Sequence, residues 1–237
     1  MIKFIFTTIW AFIVGVLGAL VFVVFLLPYL LTDSSFENFQ FVKDFKEGKI
    51  VVNQKESIYI QENFAIEEAI KRVDTSVVTI QSSAFGLRSG LIVTSDGLVV
   101  TLANAIPLNG NFKVFLEGES VAFTVVKVDS KNNLALLKID KNNLQTVGFA
   151  NIDKVRLGQK VFLLASMSTA QDNWIANEGI IRKMNENSIQ TSITESKVVV
   201  GGPLFNASGE LVGLNFIDAE GKISAIPINK IQSLLGL

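Results

Sequence analysis

The chain of 237 residues contains no cysteine and no histidine. Without cysteine it can form no disulfide, thiol nucleophile or cysteine-ligated metal site, and it fits any redox compartment. Without histidine it lacks the commonest zinc ligand and the side chain most often used as a general base near neutral pH. Acidic pairs such as Glu67-Glu68 lack the ligand number of a calcium loop. We therefore predict no metal site and no cofactor.

The chain also lacks an excess of charge of either sign. Lys and Arg together number 21, Asp and Glu 22, and the formal net charge is −1. Proteins that bind nucleic acid through the phosphate backbone carry a clustered basic surface, and no basic run occurs here. We predict that nucleic acid is not a partner.

Charged residues are absent from positions 4–32, which are almost entirely apolar. As a helix these positions would span roughly 43 Å, more than the ~30 Å hydrocarbon core of a bilayer. The run is too long for the apolar region of a cleavable signal peptide, and no cleavage site follows it. Lys3 precedes the run and Asp33 follows it, so the positive-inside rule keeps the N-terminus in the cytoplasm. Residues 1–32 are predicted to be a signal anchor in the cell membrane, with the remainder outside the cytoplasm, periplasmic or on the cell surface.

The remaining residues divide into an arm and a strand-rich domain. Residues 33–64 mix charges with phenylalanines and are predicted to be a linker. A short helix is predicted over 64–73, and many short β-rich runs separated by Asn, Asp, Gly and Ser then follow. The last residues, "NKIQSLLGL", are predicted to form a short helix. This pattern favours a β-sandwich or a pair of β-barrels.

Six blocks in the same order as in a known family identify the domain more closely. They include "SGLIVTSDGLVVTLANAI", "VVKVDSKNNLALLKID" and "ESKVVVGGPLFNASGELVGLNF". From about Ala65 to the C-terminus the chain resembles the HtrA/Deg family of trypsin-like serine proteases. The resemblance implies an all-β fold of two barrels, over about 65–150 and 151–237. The family's usual C-terminal PDZ domain is expected to be absent, because the chain stops at Leu237.

The resemblance also assigns the three positions of a catalytic triad. The histidine position falls on Asn104, the aspartate position on Asn133 and the serine position on Val200. An amide does not titrate near neutral pH and cannot act as a general base, and an isopropyl group has no nucleophilic atom.

The loop before the serine position is altered as well. The glycine whose N–H helps to form the family's oxyanion hole corresponds to Val198, and Val199 and Gly201 belong to the same loop. The successive β-branched residues favour extended backbone, so the pair of oxyanion donors is not expected to form. From the triad and this loop we predict that the chain is not an enzyme but a degenerate protease, a pseudoprotease.

Three functions remain open from the sequence. The first is a membrane-anchored protein that binds a protein or peptide by strand addition, which in the family uses an edge strand corresponding to Leu214, Asn215, Phe216 and Ile217. The second is a structural or regulatory subunit that associates with itself or with an active relative, as a trimer by family resemblance, through Phe36, Phe39, Phe41 and Phe45. The third is an active serine endopeptidase.

Overall fold

The structure is a computed structural model that describes residues 2–32, 54–107, 111–170 and 173–237. The chain forms two compact units, residues 1–57 and 58–237. Most of the predicted arm, including Phe36, Phe39, Phe41 and Phe45, lies outside the described residues. The association predicted through these phenylalanines therefore stays a prediction.

The N-terminal unit contains a long apolar helix, as predicted. It is made of α1 (Ile2–Val21), a π-helical segment (Phe22–Leu26) and α2 (Leu27–Thr32). Within it, Trp10–Tyr29 has a mean hydropathy of 2.8, and this stretch is long and apolar enough to cross a membrane. The large side chains of this stretch are mostly exposed, as expected of a surface suited to lipid.

The helix that precedes the strands is longer than predicted. Helix α3 spans Gln54–Val73, whereas the sequence pattern predicted a start near residue 64. Ile66, Ala69 and Val73 lie on one face of its C-terminal half and are buried in the core. These buried residues recur at helical spacing in the second half of α3, and the sequence pattern therefore predicted a helix there and not over the first half.

The first β-sheet is open and contains seven antiparallel strands. They are β1 (Val77–Ser82), β2 (Gly86–Ile92), β3 (Leu98–Leu102), β4 (Phe112–Leu116), β5 (Glu119–Val121), β6 (Phe123–Asp129) and β7 (Leu134–Ile139). Their order is β5-β4-β1-β2-β3-β7-β6. The end strands β5 and β6 do not pair with each other, so this sheet is a half-barrel rather than a closed barrel.

The second sheet is a closed barrel of six strands. They are β8 (Lys160–Ser166), β9 (Trp174–Met184), β10 (Ile189–Thr191), β11 (Pro203–Asn206), β12 (Leu211–Ile217) and β13 (Ile223–Pro227). The barrel order is β10-β13-β12-β11-β8-β9. Helix α4 (Ile228–Leu235) follows β13, where a terminal helix was predicted. The predicted all-β architecture is present, with the first of the two predicted barrels open and the second closed.

The two sheets are joined by buried polar contacts as well as by apolar packing. Thr79 on β1 donates its hydroxyl to Ser166 Oγ on β8, at 2.5 Å. The backbone N–H of Ser166 donates to Ser89 Oγ on β2, at 3.1 Å. All three side chains are buried, so these hydrogen bonds are shielded from water. They fix β1 and β2 of the half-barrel beside β8 of the barrel, at the junction where the site lies.

Candidate functional site

The first two triad positions lie at adjacent strand ends. Asn104 occupies the 3₁₀ turn Ala103–Ala105 that follows β3, and Asn133 immediately precedes β7. Strands β3 and β7 are paired, with Leu102 opposite Leu134. Two residues separated by 29 positions in sequence are therefore neighbours in space.

Hydrogen bonds connect the two asparagines directly. The backbone N–H of Asn104 donates to the side-chain Oδ1 of Asn133 at 2.9 Å, and the N–H of Ala103 donates to the Asn133 carbonyl oxygen at 3.0 Å. Asn133 has a φ of +53°, a left-handed conformation that asparagine tolerates better than most residues. Its side chain therefore orders the turn that carries Asn104.

The third position, Val200, lies on the barrel side of the junction. It follows the 3₁₀ turn Lys197–Val199, and its carbonyl oxygen accepts a hydrogen bond from the N–H of Ser89 at 3.2 Å. Gly201 has a φ of +82°, and a Cβ there would lie 2.8 Å from Thr101 Oγ1. Only glycine fits this conformation and this close approach. The glycine is thus required by packing at the junction.

A cleft of about 260 Å³ opens between the two sheets above Val200. The cleft is lined by Arg88, Asn104, Lys197, Val200, Phe216 and Ile217. Asn133 lies beside Asn104 in an adjoining cavity of about 550 Å³. The structure therefore brings Asn104 and Val200 to one cleft and places Asn133 directly behind Asn104.

The side chains of these three residues offer limited chemistry. The amides of Asn104 and Asn133 can donate and accept hydrogen bonds, and neither has a titratable proton near neutral pH. The isopropyl group of Val200 offers apolar contact only. In the cleft, Asn104 and Val200 can therefore hold a ligand by hydrogen bonds and packing, and the three positions contain no general base and no nucleophile.

The loop before Val200 is a turn and not the extended segment that its valines predict. Val199 is fully buried in the barrel core, and Val198 packs against the same core. Burial of these two side chains outweighs their preference for extended backbone. In the turn, the N–H of Val200 donates to the Lys197 carbonyl oxygen at 3.3 Å. Oxyanion holes of trypsin-like enzymes use the N–H at this position, which here already has an intramolecular partner.

One edge of strand β12 has backbone hydrogen-bond partners along most of its length and none at its end, among the described residues. Its pairing with β11 ends at Leu214, while its pairing with β13 continues to Ile217. On the same side as β11, Asn215 makes two further backbone hydrogen bonds. Its carbonyl oxygen accepts from the N–H of Gly201, and its N–H donates to the Gly202 carbonyl oxygen, both at 2.8 Å. Of the four residues that the sequence suggested as a binding strand, Leu214 and Asn215 are buried and have partners on both sides. The other two, Phe216 and Ile217, are half-buried and line the cleft.

Two basic residues of the cleft were missed by the sequence analysis. Arg88 lies on β2 and Lys197 begins the 3₁₀ turn before Val200. They are separated by more than a hundred residues and belong to no charge cluster in the sequence, so no local signal could have paired them. Burial lowers the pKa of the Arg88 guanidinium. Within the described ranges, no group of acidic side chains is arranged to hold a metal ion.

Comparison with known proteins places these residues in a family context. The family described as trypsin-like peptidase domain matches residues 88–214, which is more than half of the chain. The match begins at Arg88 and includes Asn104, Asn133 and Val200. The resemblance inferred from the sequence is confirmed.

Curated relatives point the same way. The chain is 29% identical to the putative serine protease HhoB of Synechocystis over 63% of this chain and 39% of the relative. It is 29% identical to serine protease HTRA1A of Danio rerio over 79% of this chain and 44% of the relative. It is 30% identical to a probable periplasmic serine endoprotease, DegP-like, of Halomonas elongata, over 54% of this chain and 29% of the relative. The chain thus spans less than half the length of these relatives.

A solved structure has the same fold. The crystal structure of the serine endoprotease from Yersinia pestis matches with a TM-score of 0.63 and 25% identity, over 72% of this chain and 65% of that chain.

These comparisons contradict one prediction made from the sequence. We predicted that the chain is not an enzyme, whereas the relatives are named serine proteases or endoproteases, and the family points to an enzyme. The prediction depended on the side chains at the triad positions and on the altered oxyanion loop. Asn104, Asn133 and Val200 themselves supply neither a proton acceptor nor an attacking atom, so any hydrolysis by this chain would have to use other groups.

Proposed function

Because the chain belongs to the trypsin-like peptidase family, we propose that the cleft between its half-barrel and its barrel binds an extended polypeptide segment. The observation that carries this proposal is the end of β12, where the strand leaves β11 and lines the cleft with one edge unpaired. Strand addition needs only free backbone groups along such an edge and does not depend on the residues at the triad positions.

The direction of the backbone groups identifies Ile217 as the docking point. Successive residues of a strand point their N–H and C=O groups to alternate sides. Asn215 directs both groups toward Gly201 and Gly202, so Ile217, two residues later, directs its groups to the same side. No hydrogen bond joins Ile217 to that side in the described part of the chain. A polypeptide in the cleft can therefore exchange two backbone hydrogen bonds with Ile217.

The other cleft residues support a ligand in this position. Val200 and Phe216 pack against a cluster of buried residues that includes Leu102 and Leu214, and they present apolar surface to the cleft. Asn104 is exposed and can hydrogen bond to a peptide group of the ligand. In this proposal Asn133 holds the Asn104 turn, and the buried Val199 supports the floor from below, together with Val198 and Gly201.

The proposal is tested by measuring peptide binding to the purified full chain in detergent micelles. Fluorescent peptides from a random library are selected on the protein, and the best binder is N-methylated at one backbone position at a time. We expect methylation to abolish binding at the one ligand residue whose N–H donates to the Ile217 carbonyl oxygen, and to be tolerated at its two neighbours, whose N–H groups face away from β12. Equal tolerance of methylation at all positions contradicts strand addition.

A pair of protein variants provides a matched control. Ile217→Pro removes the outward N–H without removing a bond to β13, and proline is tolerated at such edge positions. Ile217→Val keeps the N–H and a similar side chain. We expect the proline variant to bind the peptide at least about tenfold more weakly, because it loses about one hydrogen bond in a site shielded from water. The valine variant should bind almost as well as the unaltered protein. Mass spectrometry of the same samples measures any cleavage of the bound peptide.

We further infer that the helix over Trp10–Tyr29 anchors the chain in the cell membrane, with the strand domain on the extracytoplasmic side. The helix is long and apolar enough, Lys3 precedes it, and one relative is named as periplasmic. After cell fractionation, the chain should stay in the membrane pellet through alkaline carbonate extraction. Protease added outside spheroplasts should digest the domain, and full protection of the domain contradicts this orientation.

A further inference from the structure

The cleft has a marked charge asymmetry. Two of its six lining residues, Arg88 and Lys197, are cations, and none is acidic. The chain as a whole has a formal net charge of −1, so this local excess is not a property of the entire surface. We propose that the cleft selects polypeptides that carry a carboxylate, which Arg88 and Lys197 bind together. This inference rests on the proposed function and specifies the class of ligand.

Arg88 is held in a position that favours an anionic partner. Its side chain is half-buried, and among the described residues its Nη1 has one hydrogen-bond acceptor, the neighbouring Leu87 carbonyl oxygen, at 2.7 Å. In the described residues, none of the ion pairs includes Arg88. Burial lowers the pKa of this guanidinium, because the charged form loses water without gaining an opposite charge. A carboxylate in the cleft would offset that cost with charge-assisted hydrogen bonds to the planar guanidinium.

Lys197 also lines the cleft, is exposed, and is likewise without a carboxylate partner among the ion pairs of the described residues. The acidic residue nearest to it in sequence is Glu195. One carboxylate oxygen of Glu195 accepts from Asn177 Nδ2 at 2.7 Å, and the other accepts from the N–H of Ser196 at 3.3 Å. Lys197 therefore remains available to a ligand.

The two cations are placed relative to the docking edge by the fold. Arg88 precedes Ser89, whose N–H is bonded to the Val200 carbonyl oxygen, and Lys197 precedes Val200 by one turn. Because Ile217, Val200 and both cations line the same cleft, a polypeptide paired with Ile217 has its side chains or its own terminus in the cleft that contains Arg88 and Lys197. The carboxylate can come from an Asp or Glu side chain or from the C-terminus of the ligand.

The test compares four forms of one peptide selected as above, using the full chain in detergent micelles and fluorescence polarisation. The forms combine an internal Glu or Gln with a free or amidated C-terminus. If the proposal is correct, at least one carboxylate strengthens binding about tenfold, and added salt reduces this gain. A gain that follows the Glu form assigns the site to side chains, and a gain that follows the free terminus assigns it to the chain end.

Variants then connect the effect to the cleft. Arg88→Gln and Lys197→Gln should each remove most of the preference for the carboxylate. The exposed neighbours Arg182 and Lys183 on β9 serve as controls, because Arg182→Gln and Lys183→Gln make the same change of charge outside the cleft. Peptides that bind equally well in all four forms overturn this inference and leave strand addition intact. A failure of every peptide to bind overturns both.

Discussion

Asn133 holds Asn104 in place through a side chain that accepts the Asn104 backbone N–H at 2.9 Å. A triad aspartate orients its histidine from the corresponding position, by charge as well as by hydrogen bonding. Here the shape of the acceptor is kept while the charge is absent. The contact therefore has a structural effect that can be measured separately from any catalysis.

We expect Asn133→Ala to lower the free energy of unfolding by about 2 kcal/mol, since it removes this acceptor and places alanine at a left-handed φ. Asn133→Gly removes the acceptor without the steric cost and should be less damaging than alanine. Asn133→Asp keeps the acceptor and should be close to the parent protein. The measurement is the midpoint of thermal unfolding of the full chain in detergent. Equal midpoints for the alanine and aspartate variants contradict the role of this contact.

Gly201 gives a second test of the junction. A Cβ at this position would crowd the Ser89 carbonyl oxygen and lie 2.8 Å from Thr101 Oγ1, at a φ of +82°. We expect Gly201→Ala to cost about 3 kcal/mol, from backbone strain and overpacking together.

Gly221→Ala is the matched control for Gly201. Gly221 has a similar φ of +76°, and a Cβ there would meet no atom within 4 Å. Gly221→Ala should lower the free energy of unfolding by about 1 kcal/mol, from backbone conformation alone. Similar losses of thermal stability for the two variants would show that crowding at the junction is unimportant.

Local features of the sequence predict much of the fold. Short β-rich runs separated by Asn, Asp, Gly and Ser were predicted, and Gly97, with a φ of +96°, lies in one such separating turn, between β2 and β3. A short helix was predicted for the last residues and is present as α4. Such features depend on residues close in sequence, which is why composition and periodicity reveal them.

Other features depend on contacts that no local pattern contains. Val198 and Val199 favour extended backbone, yet they lie in a turn because the barrel core buries them. Asn215 was predicted as part of a free strand, but Gly201 and Gly202 occupy its backbone groups. Arg88 and Lys197 meet in one cleft only because two sheets are joined there. Each of these results from packing between distant segments.

The buried hydroxyl of Ser89 supports the joint between the sheets. It accepts the N–H of Ser166 at 3.1 Å, and both residues are buried. Ser89→Ala leaves that N–H without a partner and without water, so we expect a loss of about 1–3 kcal/mol.

Ser192→Ala is the control for Ser89. The Ser192 hydroxyl also accepts one backbone N–H, from Ile180 at 2.9 Å, but Ser192 is exposed and water can replace its hydroxyl. Ser192→Ala should change the free energy of unfolding by no more than about 0.5 kcal/mol. Thermal unfolding compares the two variants, and an equal effect would contradict the importance of burial.

Asp218 makes stability depend on pH in the acidic range. Hydrogen bonds to its carboxylate, first from the Lys222 N–H and then from the Ser224 hydroxyl, hold the pKa of Asp218 below its ordinary range. The Asp218 carboxyl thus has a lower pKa in the folded chain than in the unfolded chain. Its contribution to the free energy of unfolding is fully present at pH values above the unfolded-state pKa, and it is lost as the pH falls through the folded-state pKa.

Asp218→Asn should therefore be less stable than the parent at neutral pH, and the difference should shrink as pH falls to about 3. Unfolding midpoints measured between about pH 7 and pH 3 test this. Glu220→Gln, which changes the same charge in the same turn and leaves these hydrogen bonds intact, should not alter the pH dependence. A difference for Asp218→Asn that is constant with pH contradicts the assignment.

The absence of histidine makes a specific prediction about hydrolysis. Trypsin-like enzymes use an imidazole as general base, and their rates rise with pH as that imidazole loses its proton, near its ordinary pKa of about 6.5. This chain contains no histidine, and Asn104 stands at the corresponding position. We therefore expect any peptide hydrolysis by the purified full chain to show no inflection in rate near pH 6.5. Casein cleavage measured between about pH 5 and pH 9, beside trypsin as the histidine-dependent control, checks this. An inflection like that of trypsin would mean that another group in the cleft has acquired a similar pKa and acts as the base.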